Sequence, residues 1–517
     1  MPSPARLEQI QQFVVTADQM RRIEKRLFAA GMPVAALMEK VGGRIAAWVK
    51  TQYPVTRRVG VLVGPGHNGG DALVVARELH LSGYEVVIHC PFSRMKELPE
   101  QHAHYCISLG IPTVDRAVLQ SCDLLIDGLF GFGLERSLEG DIAATVNQIN
   151  QATQLVVSLD LPSGLHTDTG ETLGTAIRAT HTLCLGLWKQ GLLQDHALEQ
   201  VGQAELIDFD LPLTDILAVL GDSPSVQRTT PERAIALLPL HRPAATHKYQ
   251  MGHLLLVCGS QRYAGGAILT GLGARSSGVG MLSIAAPASL KPILTAQLPE
   301  ALVIACPEEA GAIAQFPDSL DLADYDAIAC GPGLTLEASA VVQQVLQRDQ
   351  PLVLDADGLN VLAKQDTLPT LQARSAPTIL TPHLGEFRRL FPDLSDKIDR
   401  VAATRAAAEA SGAVVLLKGA RVTIANPAGE VRINPESTSA LARGGSGDVL
   451  TGLVGGLLAQ AIAANAAVSA IEVAQAATWW HAQAGILAMQ ERTALGVDAF
   501  TLTQYLTPAL QHHLQPL

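Results

Sequence analysis

The chain has 517 residues, 48% of them hydrophobic and only 17% charged, which is material for two or more packed cores at roughly 100–200 residues per domain. A net charge of -12 argues against a general nucleic-acid binder, whose surface is basic, but leaves room for small anions held by backbone dipoles. Seven cysteines with no C-x-x-C pair read as reduced core thiols of a cytosolic protein, and the opening MPSPARLEQIQQF has no apolar signal core. Residues 17–50 predict helix, opening with the amphipathic ADQMRRIEKRLFAA. Strands and helices then alternate. RVGVLVG reads as a buried strand, DALVVARELHLSG as a helix and YEVVIHC as a strand. CDLLIDGLFG and TQLVVSLDLPSG read as later strands that end in turns. Short apolar runs separated by helices predict a parallel sheet covered on both faces.

The pattern weakens after ELIDFDLP, and residues 213–228, with LGDSPSVQRTT, suit a linker. A second series of strands begins at GHLLLVCGS and runs through GMLSIAAP, ALVIACP, YDAIACGPG, PLVLDADGLN and PTILTPH. AVVLLKGARVTIANPAGEVRI predicts a short antiparallel addition of three strands. The uncharged stretch 449–471 is rich in Ala, Leu and Gly but is broken by Gly455-Gly456 and carries Gln460, Asn465 and Ser469. It reads as buried helix rather than a membrane span, which needs about 20 strongly apolar residues.

Two glycine-rich turns carry the chemistry. In the first, Gly64, Gly66 and Gly69 match G-x-G-x-x-G between a strand and a helix. An ordinary NAD site also needs an acid at the end of the next strand. That strand ends in His89-Cys90, which argues against a hydride-transferring dehydrogenase. Asn68 offers a hard oxygen, and Asp71 stands where it can cap the helix. Asp127, Asp160 and Ser163 close later strands, and strand ends converge on one crevice in a doubly wound sheet. Asn68, Asp127 and Ser163 can thus supply oxygens to a cation, with Asp160 left as an acid or base; loop anchoring is the alternative for each acid.

The second turn is GGSGD. Gly444, Gly445 and Gly447 let backbone N–H groups approach a phosphate, and the helix that follows adds its dipole. Asp448 repels phosphate but can take a proton from a hydroxyl that attacks it; a plain helix cap is the alternative.

GPGHNGGDA, DGLFGFG and DLPSGL with TDTG, across residues 15–210, resemble the NAD(P)H-hydrate epimerase family. The resemblance implies potassium at Asn68, Asp127 and Ser163. It also implies that His67, Asn68, Gly69, Gly70 and Asp71 contact the hydrated nicotinamide nucleotide. So do the loop Gly131, Phe132, Gly133, Leu134, Glu135, Arg136 and Ser137, and Asp160. This chain departs at His67, where the family commonly has Asn, and at Ala72, where it has Gly.

The GGSGD turn resembles that of the ribokinase-like superfamily. Together with THKYQMGHLLLVCGSQRYAGGA, CGPGL, DADGLN, TPHLGEFRRL and LLKGARVTIA it is similar to the ADP-dependent NAD(P)H-hydrate dehydratase family over about residues 228–510. That implies hydrate contacts by Ala267, Gly333, His383 and Asp448. It implies nucleotide contacts by Lys418, Gly419, Ala420, Arg421, Val422 and Gly447, with ADP as phosphate donor and magnesium present. Ser446 replaces a common Thr. From the residues alone, His383 reads equally as a core histidine, Lys418 as a solvated strand end and Asp355 as a strand-end acid or a magnesium ligand.

The expectation is therefore a Rossmann-like doubly wound domain, residues 1–215, followed by a ribokinase-like α/β domain, residues 225–517. The first would interconvert R and S epimers of hydrated NADH or NADPH, and the second would dehydrate the S form with ADP, releasing AMP and phosphate. Asp448 and Asp160 are the expected catalytic acids. A cytoplasmic homo-oligomer without nucleic-acid or membrane partners completes the expectation. A small-molecule kinase, or a non-catalytic first half, would fit the same turns.

Overall fold

A computed structural model describes residues 4–53, 58–394 and 399–514. The chain divides into two compact units, Met1–Val226 and Gln227–Leu517.

The first unit is built on a six-stranded parallel sheet. Its order is Glu85–His89, Arg58–Val63, Leu124–Gly128, Leu155–Leu159, His181–Leu185 and Gln203–Ile207. The chain reverses its winding beside Arg58–Val63, and ligands of such sheets bind outside the carboxyl ends at that switch. Alternation along the strands covers both faces. Val59, Val61 and Val63 enter one core while Leu62 enters the other; Leu124 and Ile126 are divided from Leu125 in the same way. The helix expected over 17–50 is two helices, Ala17–Ala29 and Val34–Gln52. Gly31, at φ 101°, and Pro33, which caps the second helix from an extended conformation, break the run. Val14–Val15 also pairs in parallel with Trp188–Lys189, Val15 opposite Lys189.

The segment expected as a linker is not uniform. Leu213–Leu220 is a helix whose Ile216 is fully buried in the N-terminal core, and Asp215 pairs with Arg26 at 3.0 Å. Val226–Arg228 is the last strand of the second sheet.

That second sheet has ten strands. The order is Leu302–Cys306, Met281–Pro287, His253–Val257, Ala327–Cys330, Leu352–Leu354, Thr378–Leu380, Val414–Leu417, Val422–Ala425, Val431–Asn434 and Val226–Arg228. It is parallel from Leu302–Cys306 to Val414–Leu417, after which Val422–Ala425 and Val431–Asn434 add on antiparallel, as the turn residues predict. Ser446–Ala463 is the one helix among the described residues long and apolar enough to cross a membrane, yet 72% of it is buried in the protein. It packs against Ala264–Ser276 so closely that a Cβ on Gly452 would enter the Thr270 carbonyl and one on Gly273 the Val449 carbonyl. Its small residues thus serve a helix–helix seam in the core. All seven cysteines are free, and all but the half-buried Cys90 are buried.

Candidate active sites

In the N-terminal unit a cavity of about 490 Å³ opens at the carboxyl end of the sheet. The strand Arg58–Val63 turns through Gly64–Gly66 into the helix His67–Leu81. Gly64 and Gly69 are packing positions. A Cβ on Gly64 would enter the Leu129 carbonyl, and one on Gly69 the Gly64 carbonyl. Gly70 backs onto Met38 behind the wall. Gly66 caps the helix with no side-chain bond, so the helix begins at His67, earlier than expected. Asp71 is therefore not a helix cap. It lies inside the helix and lines the cavity, and burial, then Asp160 and Glu24, push its carboxyl well above the usual range. His67 and Asn68 line the cavity too; burial and nearby Lys96 lower His67.

Asp127 and Ser163 meet as expected. Asp127 accepts from Ser163 Oγ at 2.6 Å, Ser163 N at 2.9 Å, Ser158 Oγ at 2.8 Å and Leu129 N at 3.3 Å. It is fully buried and its carboxyl is raised by desolvation, which these bonds partly offset. Among the described residues no cationic side chain pairs with it. Asn68 bonds to neither, and its buried Nδ2 has no hydrogen-bond partner among the described residues. Its Oδ1 converges instead with Asp160 Oδ2 on Gly131, each 3.2 Å from where a Cβ would stand.

Asp160 is held in a left-handed conformation, φ 69°, at 3% exposure. Its Oδ2 accepts from Phe132 N at 2.9 Å, fixing the glycine loop, and its Oδ1 pairs with Lys189 Nζ at 2.5 Å. Lys189 is wholly buried. Burial opposes its charge, but Asp160 and Cys184 outweigh that and raise its pKa. Sequence reasoning missed Lys189; its one signal was a lone cation in the apolar run GLWKQGLL. It also missed Glu24, on the same cavity wall as Met20. Of the loop, Gly131, Phe132, Gly133, Leu134 and Arg136 line the cavity. Glu135 instead pairs with Arg21 at 3.5 Å on the surface, and Ser137 is exposed.

In the C-terminal unit, Gly444, Gly445 and Asp448 share a cavity of about 550 Å³ with Gly333, Gly266, Arg262 and Asp357. Gly445 is left-handed at φ 92° and turns the chain into the helix Ser446–Ala463. Asp448 stands in the first turn of that helix. Burial, reinforced by Asp355 and opposed by Lys418, pushes its carboxyl up to about 7. Beneath the turn, Lys418 Nζ meets Asp355 Oδ1 at 2.7 Å and Thr451 Oγ1 donates to Asp355 Oδ2 at 2.6 Å. Lys418 is thus the half-buried ion-pair partner of a buried acid rather than a solvated strand end, and it would lie 3.2 Å from a Cβ on Gly447. Gly419 and Ala420 beside it are exposed, Arg421 is half-buried and Val422 is buried in the sheet.

Gly333 lines the cavity with Asp448, whereas Ala267 lies fully buried behind it, its methyl against Gly259. His383 is no core histidine. It caps the helix Leu384–Leu390, Nδ1 accepting from Gly385 N at 2.9 Å, while its own N–H donates to Glu386 Oε2 at 2.8 Å. Burial, then Lys418, keeps its imidazole below the usual pKa, but it does not line the 550 Å³ cavity.

The fold and these sites define a tandem enzyme of two α/β units, each with a glycine-rich turn and buried acids at the carboxyl end of its sheet. Residues 34–191 match the family model described as YjeF-related protein N-terminus, and residues 254–508 that of NAD(P)H-hydrate dehydratase. The chain is 54% identical over 507 residues to the bifunctional NAD(P)H-hydrate repair enzyme Nnr of Synechocystis sp., covering 97% of this chain and 96% of the relative. It is 51% identical to that of Thermosynechococcus vestitus, covering 97% and 98%. The chain belongs to the family of bifunctional NAD(P)H-hydrate repair enzymes. Among solved structures, it is 34% identical to the ADP/ATP-dependent NAD(P)H-hydrate dehydratase from Bacillus subtilis co-crystallised with ATP/Mg2+ (55% of this chain, 97% of that one, TM-score 0.46). It is 26% identical to yeast YNL200c (41% and 95%, TM-score 0.37).

Proposed function

We propose that the two units repair one damaged cofactor in sequence. The N-terminal unit interconverts the R and S epimers of hydrated NADH and NADPH. The rest of the chain dehydrates the S epimer with ADP, releasing AMP and phosphate. The observation that carries this reading is Asp448, a half-buried acid that desolvation pushes up to about 7, in the turn GGSGD and on one cavity with Gly333 and Gly444.

In the C-terminal site the hydrate would place its C6 hydroxyl at Asp448. Asp448 takes the hydroxyl proton as the oxygen attacks the terminal phosphorus of ADP and the bond to AMP breaks. Phosphate is a far better leaving group than hydroxide. The ring-nitrogen lone pair then expels it, and loss of a C5 proton restores the dihydropyridine. The Gly444–Gly447 backbone and Lys418 would hold the phosphates, with Gly419–Val422 reaching the nucleotide. Magnesium would arrive on those phosphates. Asp355 is already taken by Lys418 and Thr451, whereas Asp357, on the cavity wall, has among the described residues only the neutral donors Thr335 N and Asn360 Nδ2.

Potassium fits the N-terminal unit. Asp127 is a buried carboxylate without a cationic side-chain partner among the described residues, Ser163 holds its hydroxyl against it, and Asn68 Oδ1 stands at the adjoining loop beside Gly131. The ion would supply that missing charge. Asp160, paired with Lys189, would accept or return a proton at the substrate's C6 oxygen, with the loops 67–71 and 131–137 around the nucleotide. The free cysteines support a cytoplasmic setting, and the assembly is proposed to be a homo-oligomer.

The test is product analysis of S hydrate incubated with ADP. NADH, AMP and free phosphate are expected. A stable phosphorylated product would show a small-molecule kinase instead.

A further inference from the structure

One acid of the N-terminal cavity has no role in the scheme above. Glu24 projects from the helix Ala17–Ala29 and lines the cavity with Asp160 and Lys189. Its helix is firmly placed. Thr16 and Gln19 form a reciprocal cap, and Ala17 N donates to Asp168 Oδ1 at 2.7 Å. Val15, two residues ahead of the helix start, pairs in register with Lys189. Met20 and Ile23 are buried in the core beneath it. Yet among the described residues the Glu24 carboxyl makes no hydrogen bond and no ion pair. A carboxyl held in a cavity by a rigid helix, with no hydrogen-bonding partner inside the protein, is placed for an external one.

Epimerisation itself asks for two proton-transfer groups. To invert C6, a hydroxyl must leave from one face of the ring and an oxygen must arrive at the other. One group must protonate the departing oxygen while another deprotonates the arriving one. Asp160, Asn68 and Asp71 belong to the sheet side: Asn68 and Asp160 meet at Gly131, and Asp71 follows Asn68 on the same helix. Glu24 is the acid that a separate element brings to the same space.

We propose that Glu24 is a second catalytic proton-transfer residue of the epimerase site, working from the helix wall while Asp160 works from the sheet wall; this rests on the epimerase reading above. In one direction protonated Glu24 donates to the C6 hydroxyl. The C6–O bond breaks, water leaves, and the ring-nitrogen lone pair forms the C6=N1 iminium. A water molecule adds to the opposite face and gives its proton to the Asp160 carboxylate. The reverse direction exchanges the two roles, so no net proton is consumed. Burial, opposed by Lys189 and reinforced by Asp160, pushes Glu24 up to about 7, so both of its forms are available near neutrality.

The experiment uses the full chain, separated R and S NADH hydrate, no ADP, and water enriched in oxygen-18. Wild type should invert each epimer and take up one solvent oxygen at C6 per inversion. Glu24→Gln should slow both directions by about 10²–10⁴-fold, while dehydration of the S epimer on adding ADP stays at the wild-type rate. Glu24→Asp, which keeps the carboxyl on a shorter arm, should recover part of the loss. Inversion by Glu24→Gln at the wild-type rate would overturn the proposal. So would inversion without oxygen uptake, or a Glu24→Asp variant no faster than Glu24→Gln. A wild-type chain that inverts neither epimer would instead remove the epimerase reading itself.

Discussion

The two glycine-rich turns look alike as strings and differ as structures. In VGPGHNGG the glycines let backbone pass backbone: a side chain at Gly64 or Gly69 would collide with a carbonyl. In RGGSGD, Gly444 faces open space, Gly445 supplies a left-handed turn and Gly447 makes room for Lys418. The electrostatics differ as well. Asp160 is paired with a fully buried lysine, whereas burial and Asp355 push Asp448 up to about 7 and the lysine nearby is committed to Asp355. One turn joins a strand to a helix beside a charge-paired acid; the other presents backbone and an acid poised near neutrality. The same letters thus carry packing in one unit and an open, cavity-lining turn in the other.

That contrast can be broken at several points. The largest effect belongs to Asp448→Asn, which keeps size and polarity but cannot accept the hydroxyl proton. Dehydration should fall by about 10²–10⁴-fold while the two epimers still equilibrate, measured by chromatography of each. A near-normal rate would make Asp448 a helix cap only. Next is Lys189→Met, which leaves Asp160 buried without its cation. Removing one member of a buried pair costs about 3–5 kcal/mol. The first unit should melt earlier by calorimetry and lose epimerisation, with dehydration retained. Gly64→Ala should destabilise the same unit by about 1–3 kcal/mol, since backbone has to move. A tenfold effect is expected from pH. Burial pushes Asp448 up to about 7, and the proposed base acts in its deprotonated form, so the dehydration rate at limiting ADP should be full at pH 8 and lower by about tenfold at pH 6. A flat profile over that range would detach the base from this acid. Smallest is Gly444→Ala, which meets nothing within 4 Å and should change stability by less than about 0.5 kcal/mol.

Much of this was legible in the sequence where local pattern and tertiary role coincide. Val59–Val63, Leu254–Val257 and Val414–Leu417 are strands because buried parallel strands are continuous apolar runs, and the antiparallel addition was announced by its Gly and Asn-Pro turns. Asp127 with Ser163, and Asp448 with its turn, were marked by position at strand and helix ends. What the string hid depends on contacts made across long separations. Lys189 owes its burial to Asp160, 29 residues earlier, and to a two-residue pairing with Val14–Val15. Glu24 looked like one more charge on an amphipathic helix. Asp71 looked like a cap because the start of the helix at His67 follows from Gly66, which has no capping side chain to read. The helix Leu213–Leu220 was hidden by the polar residues that follow it, although its own face buries Ile216.

The central claim is that one chain repairs both epimers by two independent sites. It is tested most directly by giving an equal mixture of R and S NADH hydrate, with ADP and potassium, to the wild-type chain and to Asp127→Ala, and following the recovery of NADH absorbance. Asp127 lies in the first unit, fully buried beside Ser163, so its loss should silence epimerisation and leave the second unit working. Wild type should recover the full absorbance. The variant should recover half of it at the wild-type rate and then creep at the uncatalysed rate of epimer exchange. Full and rapid recovery by Asp127→Ala, or no recovery by either protein, would contradict the account.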